Sequence, residues 1–144
     1  MAGGLDSTEF IQSSMPLCAT LGIVAVSLDP GEVVLALDWS EELCTAGGAM
    51  HGGALMALAD SAGAVCAFLN LPDGASGTST IESKTNFLRA VRSGRALATA
   101  RPLHVGSGTA VVETEIRNDH HLVAKSTQTQ VVLRGGGTEP SASG

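Results

Sequence analysis

The most distinct pattern in the chain is a nearly unbroken apolar run over residues 54–69. Thirteen of these 16 residues are hydrophobic, and the exceptions include a single charged residue, Asp60. A run of this length that is apolar on all sides is typical of a buried helix. Two glycines precede the run and the turn residues 70–74 follow it, so a helix is predicted over residues 52–69.

Two runs rich in β-branched residues before this helix predict a β-hairpin. They cover residues 20–28 and 33–39 and are joined by the turn sequence Asp29-Pro30-Gly31-Glu32. Because side chains alternate across a strand, one face of the second strand is expected to hold its large apolar residues. These residues are Val33, Leu35, Leu37 and Trp39.

Four further strands are predicted after the helix, separated by short turns. They cover residues 78–88, 95–103, 109–117 and 122–133. In the first of them, one side is expected to carry Ile81, Ser83, Thr85 and Phe87. An antiparallel sheet with one face on a single apolar helix buries both surfaces, so the predicted fold class is α+β. The helix surface that the sheet leaves uncovered then has to be buried by a partner subunit.

The chain is expected to fold as one domain over residues 20–133. Residues 1–19 form an N-terminal extension, whose first eight residues are expected to be mobile and which contains a short helix near residues 9–15. The tail over residues 134–144 is rich in Gly, Ser and Pro and is expected to be disordered.

Composition argues against several classes of protein and of binding site. The chain does not open on a basic and then apolar leader, and the apolar run is shorter than 18 residues, so a cytoplasmic protein without a membrane segment is expected. Cys18, Cys44 and Cys66 show no CxxC spacing, so neither a disulfide framework nor a metal site is predicted. A pI near 5.0, one Trp and no Tyr argue against a nucleic-acid partner.

Charge is unevenly distributed along the chain. Residues 1–83 carry a net charge of −10, and residues 84–144 carry a net charge of +4. Basic residues in the second part are candidates to bind the phosphates of a nucleotide-like group, with a solvated basic surface as the alternative. These candidates are Lys84, Arg89, Arg92, Arg95 and Arg101.

Asp60 is the strongest candidate for chemistry, because an ionised carboxylate in an apolar core is unfavourable unless it is paired. At the start of the same helix, Gly52 and Gly53 leave backbone N–H groups accessible to an acyl oxygen. The eight residues from Gly52 to Asp60 span roughly 12 Å, too far for both to act on one carbonyl. Two antiparallel copies of the helix would bring Gly52 of one chain to Asp60 of the other, so an obligate dimer is predicted.

These motifs resemble those of the hotdog-fold acyl-CoA thioesterases, in particular the branch of phenylacetyl-CoA and 4-hydroxybenzoyl-CoA thioesterases. The resemblance spans residues 21–133 and centres on His51-Gly52-Gly53 followed by Asp60. Matches also occur at Thr85-Asn86-Phe87-Leu88-Arg89 with Gly94, and at residues 123–127. The resemblance implies an antiparallel sheet wrapped around one long central helix, in a homodimer or a homotetramer built as a dimer of dimers.

The resemblance also implies hydrolysis of acyl-CoA thioesters to free acid and CoA, with no cofactor beyond the CoA of the substrate. Gly52 N–H would polarise the thioester carbonyl, and Asp60 of the opposing chain would act as nucleophile or as general base on water. The family commonly has Asn or Gln where this chain has Thr45, so this threonine is a catalytic candidate. The branch that uses Asp takes a hydroxyl from the following strand, here Thr80, or Thr78 if the loop length differs.

Substrate contacts are expected from His51 and Gly53 at the helix start and from Arg89 and Arg92 at the phosphates, with a purely packed role as the alternative for His51. The resemblance favours aryl, arylacetyl or medium-chain acyl groups, whereas the small number of aromatic residues in the chain predicts an aliphatic acyl pocket. Two other classes compete with a thioesterase. One is a non-catalytic acyl-CoA-binding hotdog protein, which the departure at Thr45 keeps open, and the other is a hotdog hydratase, whose His and acid spacing is absent.

Overall fold

One antiparallel sheet packs across a long apolar helix in the computed structural model, which describes residues 4–135. This is the α+β arrangement of two layers predicted from the sequence. The helices are α1 (Gly4–Ser14), α2 (Pro16–Leu21) and α3 (Gly52–Leu69). The strands are β1 (Val24–Asp29), β2 (Glu32–Asp38), β3 (Ala75–Phe87), β4 (Arg95–Val105), β5 (Thr109–Asn118) and β6 (His121–Arg134).

The strand order in the sheet is β1-β2-β4-β5-β6-β3, and every neighbouring pair is antiparallel. Within the described residues, β1 and β3 are therefore the edge strands. β3 pairs with β6 along one side only, so the other side of its 13 residues presents free backbone N–H and C=O groups. Such an edge can pair with a strand of another chain.

α3 has the bounds predicted from the sequence and forms the centre of the core. Leu55, Leu58 and Cys66 are at most 3% exposed and pack against the inner face of the sheet. The helix has 18 residues and a mean hydropathy of 1.6, so its length and composition alone would also suit a membrane span. Its C-terminus is fastened by Asn70, whose Nδ2 donates to the carbonyl oxygens of Cys66 at 2.8 Å and Pro30 at 2.7 Å.

The hairpin of β1 and β2 confirms the predicted facing of the second strand. Val33, Leu35 and Leu37 are at most 1% exposed and belong to the core. Trp39 lies just beyond β2 and packs against this core, and its Nε1 donates to the carbonyl oxygen of Gly48 at 3.1 Å. That bond braces the loop that leads into α3.

The prediction that the first strand begins at residue 20 is wrong. Thr20 lies in α2, and β1 begins only at Val24. Pro16 occupies the first turn of α2, and Gly22 ends the helix in a left-handed conformation with φ of 82°. Proline at the start and glycine just after the end of a helix outweigh the β-branched composition that suggested a strand.

Both chain ends are more ordered than predicted where the structure describes them. α1 begins at Gly4, so residues 4–8 are helical, and the expected mobility of residues 1–3 concerns residues outside the described part. Arg134 belongs to β6 and pairs with Ala75, whereas the expected disorder of residues 136–144 also lies outside the described residues.

A β-bulge in β3 overturns part of the predicted facing of this strand. Its register with β6 shifts between Thr80 and Glu82, so Ile81 is an extra residue there and is 61% exposed. Ile81 therefore does not share a face with the later residues of the strand. The bulge leaves Thr80 directed towards α3, where the candidate site lies.

Candidate active site

Asp60 lies midway along α3, on the side of the helix that faces β3 and β6. Its Oδ1 accepts a hydrogen bond from the Thr80 hydroxyl at 2.7 Å and another from Nε2 of Gln128 at 3.2 Å. Its Oδ2 accepts none from residues 4–135. Two donors on one oxygen fix the orientation of the carboxylate and leave the other oxygen free for chemistry.

The Thr80 hydroxyl is itself oriented by a buried glutamine. Gln130 is fully buried in β6 and donates from Nε2 to Oγ1 of Thr80 at 2.5 Å, so the hydroxyl proton points to Asp60. Oε1 of Gln130 lies 3.1 Å from the hydroxyl of Thr78. Of the two threonines that the sequence leaves open, Thr80 touches Asp60, and Thr78 lies one hydrogen bond further away.

Gln128 and Gln130 do not stand out in the sequence, because β6 lacks an alternating pattern around them. Residues 125–130 are all polar, so no alternation of apolar and polar residues shows which side faces the core. The structure places Ser126, Gln128 and Gln130 on the inner face, where each is at most 1% exposed. A run of uncharged polar residues in an otherwise apolar strand is the only signal available in the sequence.

His51 caps the N-terminus of α3. Its Nδ1 accepts the backbone N–H of Gly53 at 2.7 Å, and its carbonyl oxygen accepts the N–H of Ala54 at 2.9 Å. The N–H of Gly52 has no partner within the described residues. The helix start therefore offers one free donor, at Gly52, while the N–H of Gly53 is occupied by the cap.

A cavity of about 340 Å³ adjoins this free donor and is lined by Gly52, Met50, Phe87 and Arg89. A Cβ at position 52 would lie 3.2 Å from Cζ of Phe87, so the glycine allows the ring to approach the helix start closely. The cavity places the Gly52 N–H, a half-exposed aromatic ring and a guanidinium group around one space.

A second cavity, of about 290 Å³, lies along the C-terminal half of α3, beyond Asp60. Ala64 and Phe68 follow Asp60 at spacings of four and eight residues on the same helix face, and both line this cavity together with Thr78 and Phe10. The rings of Phe10 and Phe68 lie 6.4 Å apart, centroid to centroid. The cavity is thus an apolar space that begins one helical turn from the carboxylate.

Thr45 is exposed in the loop before α3. Its N–H donates to the carbonyl oxygen of Ala49 at 2.8 Å, and its hydroxyl has no partner within the described residues. Gly47 and Gly48 have φ of 83° and 77°, which lets the chain turn back tightly at this point. Nη1 of Arg92 donates to the carbonyl oxygen of Gly47 at 2.6 Å and holds the loop.

The basic residues that were candidates for phosphate binding differ in their surroundings. Arg95 pairs with Asp38 at 2.7 Å, and Arg101 pairs with Glu32 at 2.6 Å. Lys84 donates to Asn86. Arg89 is the candidate that lines the cavity at Gly52.

Gly52 and Asp60 are held apart because they belong to one continuous helix. Their eight-residue separation along α3 corresponds to roughly 12 Å. The cavity at the Gly52 N–H therefore does not include Asp60 of the same chain, whose carboxylate lies one helical turn from the cavity at Ala64 and Phe68.

Two buried cysteines, Cys66 in α3 and Cys18 in α2, are unsuited to act as nucleophiles. Burial raises the pKa of the Cys66 thiol to about 11 and also raises the pKa of Cys18, whose Sγ donates to Oγ of Ser61 at 3.3 Å. The thiolate is the reactive form of cysteine, and at neutral pH both groups stay protonated. Neither cysteine is therefore a candidate nucleophile.

Comparison with known proteins relates this geometry to a family. The family model of the thioesterase superfamily matches residues 47–125. The chain is 32% identical over 106 residues to the 1,4-dihydroxy-2-naphthoyl-CoA hydrolase of Listeria monocytogenes, across 73% of this chain and 85% of that protein.

Solved structures give the same result. A thioesterase family protein from Silicibacter pomeroyi superposes with a TM-score of 0.81 at 27% identity, over 92% of this chain and 100% of that one. A thioesterase from Haemophilus influenzae superposes with a TM-score of 0.83 at 24% identity, over 93% and 92% of the two chains, and shows the fold alone. The hotdog fold implied by the sequence is thereby confirmed, and the chain belongs to the thioesterase superfamily.

Proposed function

We propose that this protein hydrolyses acyl-CoA thioesters to free acid and CoA. The observation that carries the proposal is the carboxylate of Asp60 inside an apolar helix. Its Oδ1 is held by Thr80 and Gln128, and its Oδ2 accepts no hydrogen bond from the part of the chain that the structure describes. The free N–H of Gly52 supplies the complementary donor for a carbonyl oxygen.

The proposed reaction uses two chains. Gly52 N–H of one chain, at the positive end of α3, donates to the thioester carbonyl oxygen and stabilises the negative charge that forms there. Asp60 of the other chain either takes a proton from the attacking water or attacks the carbonyl carbon itself. The C–S bond then breaks, and the CoA thiolate leaves and is protonated. Where Asp60 attacks, water hydrolyses the acyl intermediate in a second step.

A homodimer is supported by three features of the described residues. Gly52 and Asp60 are too far apart in one chain, β3 has an unpaired edge, and apolar side chains are exposed next to both cavities. The most exposed of these side chains are Phe68, Phe87 and Leu88, at 46%, 49% and 55%. Pairing of β3 with β3 of a second copy would join two sheets and bring each Asp60 towards the partner's Gly52.

The cavity at Ala64 and Phe68 supports an aromatic acyl group as substrate. A cavity of about 150 Å³ lined by apolar side chains holds one benzene molecule, so the 290 Å³ found here has room for one or two rings. Two of the three phenylalanines of the chain, Phe10 and Phe68, line it. This cavity therefore favours an aromatic acyl group over the aliphatic one expected from composition, because the few aromatic residues are gathered at one place.

Thiol release from a panel of acyl-CoA thioesters tests this proposal. Benzoyl, phenylacetyl and naphthoyl thioesters are expected to react faster than acetyl-CoA, measured as kcat/KM with a thiol reagent. Binding of the panel without turnover would instead identify a non-catalytic acyl-CoA-binding protein.

Thr80→Val is expected to lower kcat about tenfold, because it removes the donor that orients Asp60 while keeping the shape of the side chain. Thr80→Ser keeps a hydroxyl and is expected to retain kcat within about threefold. Steady-state thiol release compares the three proteins. Equal kcat in the wild type and Thr80→Val would show that the hydrogen bond to Asp60 is structural.

Arg89→Ala combined with Arg92→Ala is expected to raise KM for CoA thioesters about tenfold and to leave KM for a pantetheine thioester within about twofold, because only CoA carries the phosphates. Arg101→Ala is the matched control, since that guanidinium is paired with Glu32 away from the cavity. Equal changes in KM for both substrates would exclude a phosphate contact at these arginines.

A further inference from the structure

Gln128 is a buried residue that touches Asp60 and belongs to none of the motifs found in the sequence. Its side chain is 1% exposed. Its Nε2 lies 3.2 Å from Oδ1 of Asp60 and 3.5 Å from the carbonyl oxygen of the same residue. Because Nε2 carries two hydrogens, one amide group can bridge the carboxylate and the backbone of Asp60.

Gly63 provides the space for this side chain. A Cβ at position 63 would lie 2.3 Å from Oε1 and 2.4 Å from Cδ of Gln128, closer than atoms can approach. Gly63 lies in the interior of α3, where glycine is less favourable for the helix than alanine. The helix is therefore intrinsically less stable at the position where the amide of Gln128 packs against it.

Gln128 also places an unfavourable buried polar atom in the core. Its Oε1 is buried and finds no hydrogen-bond partner among residues 4–135, and the same holds for the hydroxyls of Thr85, Thr114 and Ser126 on the same face of the sheet. Buried polar atoms without partners are unfavourable, and an apolar side chain of similar size would avoid the problem. Residues that violate a folding rule in this way are expected where a site requires them.

We infer that Gln128 is a positioning residue for Asp60. Gly63 leaves the space that the Gln128 side chain needs to reach the carboxylate. This inference rests on the proposed thioester hydrolysis. Gln128 and Thr80 both bind Oδ1, from β6 and β3 respectively, so the carboxylate cannot rotate without losing two hydrogen bonds. Oδ2 is thereby kept as the oxygen that faces water or the thioester carbon.

Gln128→Met tests the role of the amide, because methionine has a similar length and no donor. The expected result is a fall in kcat of about tenfold with KM within about twofold, and a Tm equal to or above that of the wild type, since the unpartnered Oε1 is also removed. Thr114→Val is the matched control. It removes an unpartnered buried hydroxyl from the same face without touching Asp60, and should leave kcat unchanged. An unchanged kcat in Gln128→Met would overturn the inference.

Gly63→Ala tests whether the Gln128 side chain needs the space that the glycine leaves open in α3. The added methyl group displaces the flexible end of Gln128, so kcat is expected to fall as far as in Gln128→Met. The double variant Gly63→Ala with Gln128→Met is expected to be no slower than either single variant, because both remove the same hydrogen bond. Effects that multiply would mean that Gly63 and Gln128 act independently and would contradict the inference.

Crystal structures of the wild type and Gln128→Met separate this inference from the proposed function. A wild type that releases thiol from no thioester would refute the hydrolysis, and the orientation of Asp60 would still decide the positioning role. Rotation of the carboxylate away from Thr80 in Gln128→Met supports that role. A carboxylate that keeps the Thr80 hydrogen bond and the same free Oδ2 overturns it.

Discussion

Asp60→Asn is expected to lower kcat for thioester hydrolysis at least about 10²-fold. The change deletes the carboxylate that the proposed reaction uses as base or nucleophile. It also preserves the local packing, because Oδ1 of an asparagine can accept the same hydrogen bonds from Thr80 and Gln128 that the carboxylate accepts. The loss should therefore appear in kcat without a large change in Tm or in KM.

Asp73→Asn is the matched control for this variant. Asp73 is exposed in the turn that follows α3, so removal of its charge is expected to leave kcat within about twofold. Thiol release over the same substrate panel measures both variants. An Asp60→Asn protein that kept more than a tenth of the wild-type kcat would place the reactive group elsewhere.

The central helix could be predicted from the sequence because its signal is long and uniform. Thirteen hydrophobic residues in a run of 16 fix the element, and Gly52 and Asn70 stand at its two ends. The start of β1 could not be predicted from β-branched composition, because Pro16 and Gly22 impose a short helix there. The bulge at Ile81 left no sign in the sequence, since one inserted residue changes the facing of a strand without changing its composition.

The candidate site was predictable only in part, because some of its residues leave a clear local signal in the sequence and others do not. Asp60 stands out because a charge is rare in an apolar helix, and Gly52 stands out because it opens that helix. Gln128 lies in a strand segment that is polar on both faces, so its burial has no periodic signature. Gly63 could equally be a helix-packing glycine, and its role becomes visible only when a Cβ is placed against the amide of Gln128.

Gly52→Pro is expected to reduce kcat about 10²- to 10³-fold by removing the N–H that would bind the carbonyl oxygen. Proline is well tolerated at the first position of a helix, and His51, with φ of −59° and ψ of 134°, has the conformation that a residue before proline prefers. Gly52→Ala is the matched control, because its Cβ makes the same close contact with Phe87 but the N–H remains. Equal kcat for Gly52→Pro and Gly52→Ala would show that the Gly52 N–H takes no part in the mechanism.

Mixed dimers of Gly52→Pro and Asp60→Asn chains then decide whether the site is shared between subunits. Each homodimer lacks one group in both sites, whereas a heterodimer has one site with both groups intact and one site with neither. Random mixing makes about half of the dimers heterodimers, so thiol release should recover to about a quarter of the wild-type rate. Heterodimers isolated by two different affinity tags should show about half of the wild-type rate. If such heterodimers are as inactive as either parent, Gly52 and Asp60 do not act together across an interface, because complementation requires each chain to supply the group that the other lacks.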